Sequence, residues 1–217
     1  MTISIHHINE KHTLEKITLE MNNIGKNPIA ESPWDKYEAE VIADFAIGYN
    51  ENSVFLKFFV IEEYISARYN QPNDPVYKDS CVEFFIAFPG ERAYYNFEFN
   101  CKGNCHAGFG EGKEDRELIQ LPLIKNIKTL SNFKTIYVNE KAMVNWDLTI
   151  AMPLTSFWHH DIKSLKNQQA KVNFYKCGDE LPKPHYLCWS PIQSEEPNFH
   201  LPEFFGDATF ESNMKLT

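Results

Sequence analysis

The chain of 217 residues has little positive charge and no long hydrophobic run. Lys and Arg number 21 against 30 Asp and Glu, which leaves a net charge of -9. A surface of this sign repels nucleic-acid backbones and anionic membranes, so we expect no nucleic-acid and no membrane partner. No apolar segment approaches the roughly 20 residues of a membrane helix. The charge fits a neutral ligand or a metal cation.

The sequence also lacks a secretory signal and a pattern of paired cysteines. Its first residues, Met-Thr-Ile-Ser-Ile-His-His, contain no basic region followed by an apolar stretch. We therefore expect a cytoplasmic location, or a secreted one if a signal has been removed. Five cysteines are an odd number in such a chain and are predicted to be reduced, buried thiols. The spacing of Cys101 and Cys105, without a second cysteine pair, does not predict a zinc site.

Aromatic residues are abundant, and they occur in short segments typical of strands. The chain has 17 Phe and 10 Tyr, and no repeat, low-complexity tract or linker divides it. This pattern predicts an all-β fold, a single antiparallel two-sheet β-sandwich of jelly-roll type with one or two short helices. We expect residues 1–33 to form an N-terminal arm packed on the domain and residues 34–217 to form the domain itself. Strands are predicted at residues 41–47, 54–61, 82–88, 95–100, 133–138, 144–151, 171–177, 187–190 and 207–211.

Two further segments carry other predictions. Residues 14–21 have a helix-like pattern, and residues 101–115 contain four glycines, which is typical of a flexible crossing loop.

One predicted hairpin, residues 76–100, organises the rest of the chain. Its strands flank the turn Pro89-Gly90-Glu91-Arg92, and each strand alternates apolar and polar residues. A loop of two or four residues places Phe84 opposite Phe97 and Glu83 opposite Glu98. A loop of three or five residues would pair apolar with polar faces and is discounted. We therefore expect Phe84 and Phe97 in the core.

The polar face of the hairpin is the candidate site. Glu83 and Glu98 are expected to be direct cross-strand neighbours, with Asn96 and Asn100 beside them. Like charges directly opposite one another destabilise a sheet. Such a pair persists because it is solvated, because a cation or an Arg lies between, or because it binds a ligand rich in hydroxyl groups. Arg68, upstream of the hairpin, is a candidate to neutralise the pair.

Four stretches occur in a fixed order along the chain. They are Asp74-Pro-Val-Tyr-Lys-Asp-Ser-Cys-Val-Glu-Phe-Phe85, Tyr95-Asn-Phe-Glu-Phe-Asn100, Asn145-Trp-Asp-Leu-Thr-Ile-Ala-Met-Pro153, and Trp189-Ser190 followed by residues 199–206. Together they resemble the family 9 carbohydrate-binding modules, DOMON-like β-sandwiches attached to xylanases and related enzymes. The resemblance covers roughly residues 34–210. It implies a non-catalytic module that binds a plant-type or related polysaccharide or oligosaccharide, with a glycoside hydrolase as a partner in polysaccharide degradation.

The resemblance also assigns roles to individual residues. In the family the sugar lies between two aromatic rings, commonly Trp, whose positions match Tyr77 and Phe199 here. Glu83 matches a glutamate that hydrogen-bonds sugar hydroxyls, whereas Glu98 replaces a basic residue. The predicted carbohydrate-binding residues are Tyr77, Glu83, Glu98, Asn100, Phe199 and Arg68, and none is predicted to be catalytic.

The family also carries structural calcium ions. Asp44, Asp74 and Asp79 are the candidate ligands here, although the sequence does not place a site. No other cofactor is implied.

Two alternatives remain open at the sequence level. Glycosidases use two carboxylates roughly 5–9.5 Å apart, and the cross-strand pair Glu83 and Glu98 is compatible with that spacing. Some DOMON-like domains bind haem through Met and His ligands. The candidates for that role here are Met143, Met152, His106 and His185.

Overall fold

The structure, a computed structural model, describes residues 1–8 and 13–212. Within these residues the chain forms thirteen strands and two helices. The strands are β1 (Thr2–His7), β2 (Asn27–Pro28), β3 (Val41–Tyr49), β4 (Ser53–Glu62), β5 (Cys81–Ala87), β6 (Tyr94–Asn100), β7 (Cys105–Gly110), β8 (Glu117–Leu118), β9 (Lys128–Val138), β10 (Lys141–Pro153), β11 (Gln169–Cys177), β12 (Tyr186–Cys188) and β13 (Gly206–Phe210). The helices are α1 (Leu14–Met21) and α2 (Leu121–Ile124). None of the helices described is both long and apolar enough to cross a membrane.

The strands form one hydrogen-bonded sheet that folds over into two layers. Their order is β8-β7-β6-β5-β11-β13-β1-β3-β4-β10-β9, with β12 on β11 and β2 on β3. The change of layer occurs within β1, whose first residues pair with β13 and whose last two pair with β3. The two layers face each other, since the ring of Phe45 in β3 stacks on that of Phe174 in β11, with centroids 3.5 Å apart.

This architecture confirms the predicted all-β sandwich. The pairs that β1 makes with β13 and β3 are parallel, whereas the other strand pairs are antiparallel. The helix expected at residues 14–21 is observed as α1. β1 lies inside the sheet, so its residues belong to the sandwich although they fall in the segment expected to form an arm. The division into residues 1–33 and 34–217 stays a prediction, and residues 213–217 lie outside the described part.

The β5–β6 hairpin has the predicted register. Phe84 pairs with Phe97, and Glu83 pairs with Glu98. The rings of Phe84 and Phe97 are fully buried in the core between the layers, with centroids 6.5 Å apart. Strict alternation produces this result, because successive side chains of a strand point to opposite faces.

The opposite face of the hairpin is buried too, which corrects the alternative of a solvated outer face. Every residue of β5 and β6 is buried. A second aromatic cluster covers this face, and it includes Phe85, Tyr175, Trp34 and Phe199. Trp34 and Phe199 come from segments distant in sequence, one before β3 and the other after β12. The glutamate pair therefore lies below the surface of the protein.

The segment expected to be a flexible crossing loop, residues 101–115, contains strand β7. This strand pairs antiparallel with β6, so the loop prediction is wrong for Cys105–Gly110. One of its glycines is required by packing. A Cβ atom at Gly108 would lie 2.9 Å from Asn96 Oδ1 and 3.2 Å from Arg116 Nε. The missing side chain leaves room for a contact between those two groups.

Candidate functional site

A pocket of about 320 Å³ opens on the outer face of the β5–β6 hairpin. Its lining includes Glu83 from β5, Asn96 and Glu98 from β6, and Cys177 from β11. The remaining lining residues come from the surrounding loops, β7 and β12, and they are Tyr77, His106, Lys113, Glu114, Arg116, Asp179, Tyr186, Pro197, Asn198, Phe199 and His200. The pocket thus places polar side chains of the central strands beneath aromatic and charged side chains.

Glu83 is almost inaccessible, with 3% of its surface exposed. The thiol of Cys177 donates to Glu83 Oε1 across 3.1 Å. Burial raises the pKa of Glu83 well above its usual range, and the neighbouring Glu98 raises it further. Burial thus favours the neutral carboxyl group, which can hydrogen-bond a hydroxyl group as donor or as acceptor.

Glu98 is 4% exposed, and its two oxygens differ in their surroundings. Oε1 accepts a hydrogen bond from Asn96 Nδ2 at 2.7 Å. Oε2 is buried and has no hydrogen-bond partner among the described residues. Burial raises the pKa of Glu98, and the nearby His106 opposes this shift more than any other group. A buried carboxyl oxygen without a partner is costly, and a ligand hydroxyl would satisfy it.

Arg116 supplies the positive charge on this side of the pocket. Its Nε donates to Asn96 Oδ1 at 2.8 Å, and its guanidinium lies 4.4 Å from the ring centroid of Tyr94. Carbonyl groups of the glycine-containing segment hold the other nitrogens, including Gly112 O at 2.6 Å. Arg116 thus fixes the orientation of the Asn96 amide, whose nitrogen then faces Glu98. Arg116 was not among the predicted site residues, because it directly follows a segment with the glycine content of a loop.

Aromatic side chains form part of the wall. Tyr77 lies in a single 3₁₀ turn, Val76–Lys78, and is half-buried at the pocket. Phe199 also lines the pocket, but it is only 8% exposed. Its ring stacks on Tyr175, with centroids 4.1 Å apart. Tyr186, which the sequence analysis did not select, lines the pocket half-buried. Tyr77 and Tyr186 are therefore more exposed than Phe199.

Asp179 adds a third carboxyl group to the lining. Burial raises its pKa to about 6, and the charge of Glu98 adds to the shift, while a hydrogen bond with Tyr186 opposes it. It follows the Cys177 end of β11 and was not selected from the sequence.

Two of the predicted site residues do not line the pocket. Asn100 is fully buried, and its Nδ2 donates to Tyr69 O at 2.7 Å and to Asp79 Oδ2 at 3.1 Å. Arg68 Nη2 bonds Glu180 Oε2 at 2.6 Å, and its Nε lies 3.8 Å from Asp79 Oδ1. The idea that Arg68 neutralises the glutamate pair is therefore wrong, because its charge is directed at other carboxylates.

Two of the three candidate calcium ligands, Asp74 and Asp79, already accept hydrogen bonds from protein donors. Asp79 accepts hydrogen bonds from the backbone N–H groups of Arg68 and Tyr69, the hydroxyl of Ser66 and the amide of Asn100. Both of its oxygens are thus occupied by donors. Asp74 caps a turn by accepting from two backbone N–H groups. Over residues 1–8 and 13–212, the three aspartates form no cluster of potential metal ligands.

The histidines proposed for haem already have partners. His185 Nε2 lies 2.8 Å from Lys176 Nζ, and its Nδ1 lies 3.0 Å from Lys183 O. Burial lowers the pKa of His185 to about 3, so the ring is neutral. His106 Nδ1 bonds Asn73 O at 3.0 Å. In both histidines, ring nitrogens are thus already engaged by groups of the protein itself.

A family model for carbohydrate-binding family 9 matches residues 13–210. No curated protein matches the chain.

Solved structures resemble the whole chain. A candidate carbohydrate-binding protein from Bacteroides uniformis ATCC 8492 shares 31% sequence identity and has a TM-score of 0.86. The match covers 97% of this chain and 99% of that one. A family 9 carbohydrate-binding module from Caldicellulosiruptor kristjanssonii in complex with glucose has a TM-score of 0.64 at 11% identity, with 100% and 99% coverage. The cellotriose complex of such a module from the same organism has a TM-score of 0.58 at 12% identity, with 99% and 96% coverage.

Proposed function

The chain belongs to carbohydrate-binding family 9, and we propose that its pocket binds a saccharide without catalysing a reaction on it. One observation carries this proposal. The pocket combines the half-buried rings of Tyr77 and Tyr186 with a buried, directly paired set of carboxyl groups, Glu83 and Glu98. Few ligands other than sugars offer an apolar ring face together with a hydroxyl-rich edge.

The two kinds of lining match the two kinds of sugar surface. The C–H face of a sugar ring packs on an aromatic ring, as at Tyr77. Sugar hydroxyls then donate to Glu83 and to the unpartnered oxygen of Glu98, or accept from these groups when they are protonated. Arg116 and Asn96 hold the Glu98 carboxyl group in place before the ligand arrives.

The ligand class we propose is a short plant-type or related oligosaccharide, or the end of such a polysaccharide. The volume of about 320 Å³ lies near the lower limit of the roughly 300–1,000 Å³ typical of ligand pockets. Glucose and cellotriose complexes of modules with this fold support the class, at 11% and 12% identity. A link to polysaccharide degradation, with a glycoside hydrolase as partner, is part of the same proposal.

Calorimetric titration tests the site. A glycan array first identifies the best ligand, which is then titrated into the wild type and into Tyr77→Ala and Glu83→Gln. Tyr77→Ala should weaken binding by about 1 kcal/mol, because the stacking surface is lost. Glu83→Gln should weaken binding by roughly 0.5–1.5 kcal/mol, because a hydrogen bond between the carboxyl group and a sugar hydroxyl is lost.

Tyr137→Ala is the matched control, since this tyrosine is 76% exposed on β9 and lies outside the pocket. If both pocket variants bind the ligand as strongly as the wild type does, the binding site lies elsewhere on the protein. No binding of any glycan by the wild type would end the saccharide proposal.

An assay for released sugar on the same ligand tests the non-catalytic part. We expect no release. Release that disappears in Glu83→Gln would instead support a glycoside hydrolase that uses Glu83 and Glu98.

A further inference from the structure

Two cysteines and a glutamate converge at the base of the pocket. Cys81 of β5 and Cys177 of β11 are direct partners across an antiparallel strand pair, so their side chains share one face. Glu83 is two residues from Cys81 on β5 and points to the same face. The two Sγ atoms and a carboxylate oxygen of Glu83 all lie within 4.8 Å of one another.

Such a set of donor atoms suits a thiophilic divalent cation. Zinc binds cysteine sulfur at about 2.3 Å and carboxylate oxygen at about 2.0–2.2 Å, which requires ligand atoms roughly 3.5–4 Å apart. Cys177 Sγ and Glu83 Oε1 are 3.1 Å apart. Small side-chain rotations are therefore enough to form three corners of a tetrahedron. We propose that Cys81, Glu83 and Cys177 bind a thiophilic divalent cation such as zinc or cadmium.

The pocket gives the cation a route to this site. Cys177 and Glu83 line it, whereas Cys81 lies below them with no exposed surface. Three protein ligands leave the fourth position of the cation open. The cation displaces the protons of both thiols and the proton that the buried Glu83 carboxyl group retains, and these protons leave to solvent.

The groups around the three ligands carry charges of both signs, and the strands that hold the ligands are rigid. Lys176 carries positive charge near both Cys81 and Glu83, whereas Glu98 and Asp179 carry negative charge toward Glu83. All three ligands lie on neighbouring strands whose residues are buried on both faces at this point. Ligands on rigid strands need little reorganisation to bind a metal.

The inference does not depend on saccharide binding, and its test contains no saccharide. Reduced, metal-free wild-type protein, with all five thiols counted, is titrated with cadmium chloride. A thiolate-to-cadmium absorption band should rise and saturate at one cation per chain. One equivalent of cadmium should also raise the melting temperature.

Three variants assign the ligands. Cys177→Ala should lose the band, and Cys188→Ala is its matched control. Cys188 is also a buried free cysteine, on the strand paired with β11, but it lies outside the cluster. Glu83→Gln should keep the band and bind cadmium more weakly than the wild type. This last variant replaces one carboxyl oxygen with an amide nitrogen. It therefore tests the proposal even if Cys177→Ala does not fold.

Any one of four results would overturn the proposal. The first two are that reduced wild-type protein shows no band and that the band survives in folded Cys177→Ala. The other two are that folded Cys188→Ala loses the band and that Glu83→Gln binds cadmium with wild-type affinity.

Discussion

At the scale of single residues, the pocket carboxyl groups link binding to stability. Burial raises the pKa of Glu83 and Glu98, and that of Asp179 to about 6. The folded protein thus retains protons at a pH where the unfolded chain has released them. Unfolding then releases protons, so the free energy of unfolding falls as the pH rises from the unfolded pKa through the folded pKa. For Asp179 this window runs from about 4 to about 6.

Glu98→Gln should therefore stabilise the protein at neutral pH. Glutamine retains an acceptor for Asn96 and removes a charge from beside Glu83, and the charge of Arg116 limits the gain. We expect a gain of roughly 1–3 kcal/mol at pH 7, because a buried group no longer has to be ionised, and a smaller gain near pH 4. Urea denaturation at both pH values measures it.

Glu114→Gln is the control for this prediction, because Glu114 is an exposed residue of the same pocket. A gain from Glu98→Gln that is equal at both pH values would show that Glu98 is already ionised in the folded state at low pH.

At the scale of strands, the alternation of apolar and polar residues predicted more of the structure than the amino-acid composition did. The face and register of the β5–β6 hairpin followed from residues within it, because side chains alternate with a period of two. Alternation did not show what covers its polar face, because Trp34 and Phe199 come from distant segments, and only the family resemblance assigned Phe199 to this site. Strand β7 was missed since its glycines resemble a loop, although Gly108 is there to make room for Arg116.

Also at the scale of strands, an ion pair in the core joins the two layers. Lys176 of β11 and Glu62 of β4 face each other across the sandwich, with Nζ and Oε2 2.9 Å apart. Both are almost fully buried, and Trp146 Nε1 donates to Glu62 Oε1 at 2.8 Å. The sequence analysis gave these residues no role, because a lysine and a glutamate in strands are ordinarily exposed.

Lys176→Met should destabilise the protein by roughly 3–5 kcal/mol, because it leaves Glu62 buried without its counter-charge. The double variant with Glu62→Gln should recover part of the loss, since the amide still accepts from Trp146. Denaturant titrations of the four proteins form a double-mutant cycle. Lys171→Met on the same strand is the control, because its pair with Asp207 is exposed and should contribute little to stability. A loss in the double variant that equals the sum of the two single losses would show that the pair is not coupled.

At the scale of the whole molecule, the sandwich could be predicted and its deepest site could not. Short alternating strands allow few architectures, and the all-β sandwich followed from them. Hairpin alternation placed Glu83 and Glu98 side by side, and it also placed Asn100 on their face, where its amide donates to Tyr69 O. Arg68 was assigned by nearness in sequence, and it contacts Glu180 instead. The cluster of Cys81, Glu83 and Cys177 needs the pairing of β5 with β11, which joins distant parts of the chain.

Strand β1 should make unfolding of the two layers a single event. It pairs with β13 in one layer and with β3 in the other, and one core cluster contains side chains from both. Ile5 has no exposed surface in that core, so Ile5→Ala should lower the free energy of unfolding by roughly 2–5 kcal/mol. The exposed neighbour Ser4 is the control, and Ser4→Ala should change little. We expect tryptophan fluorescence, circular dichroism and calorimetry to report one coincident transition in both variants. Two separate transitions in Ile5→Ala would mean that each layer is stable alone, and that β1 only connects them.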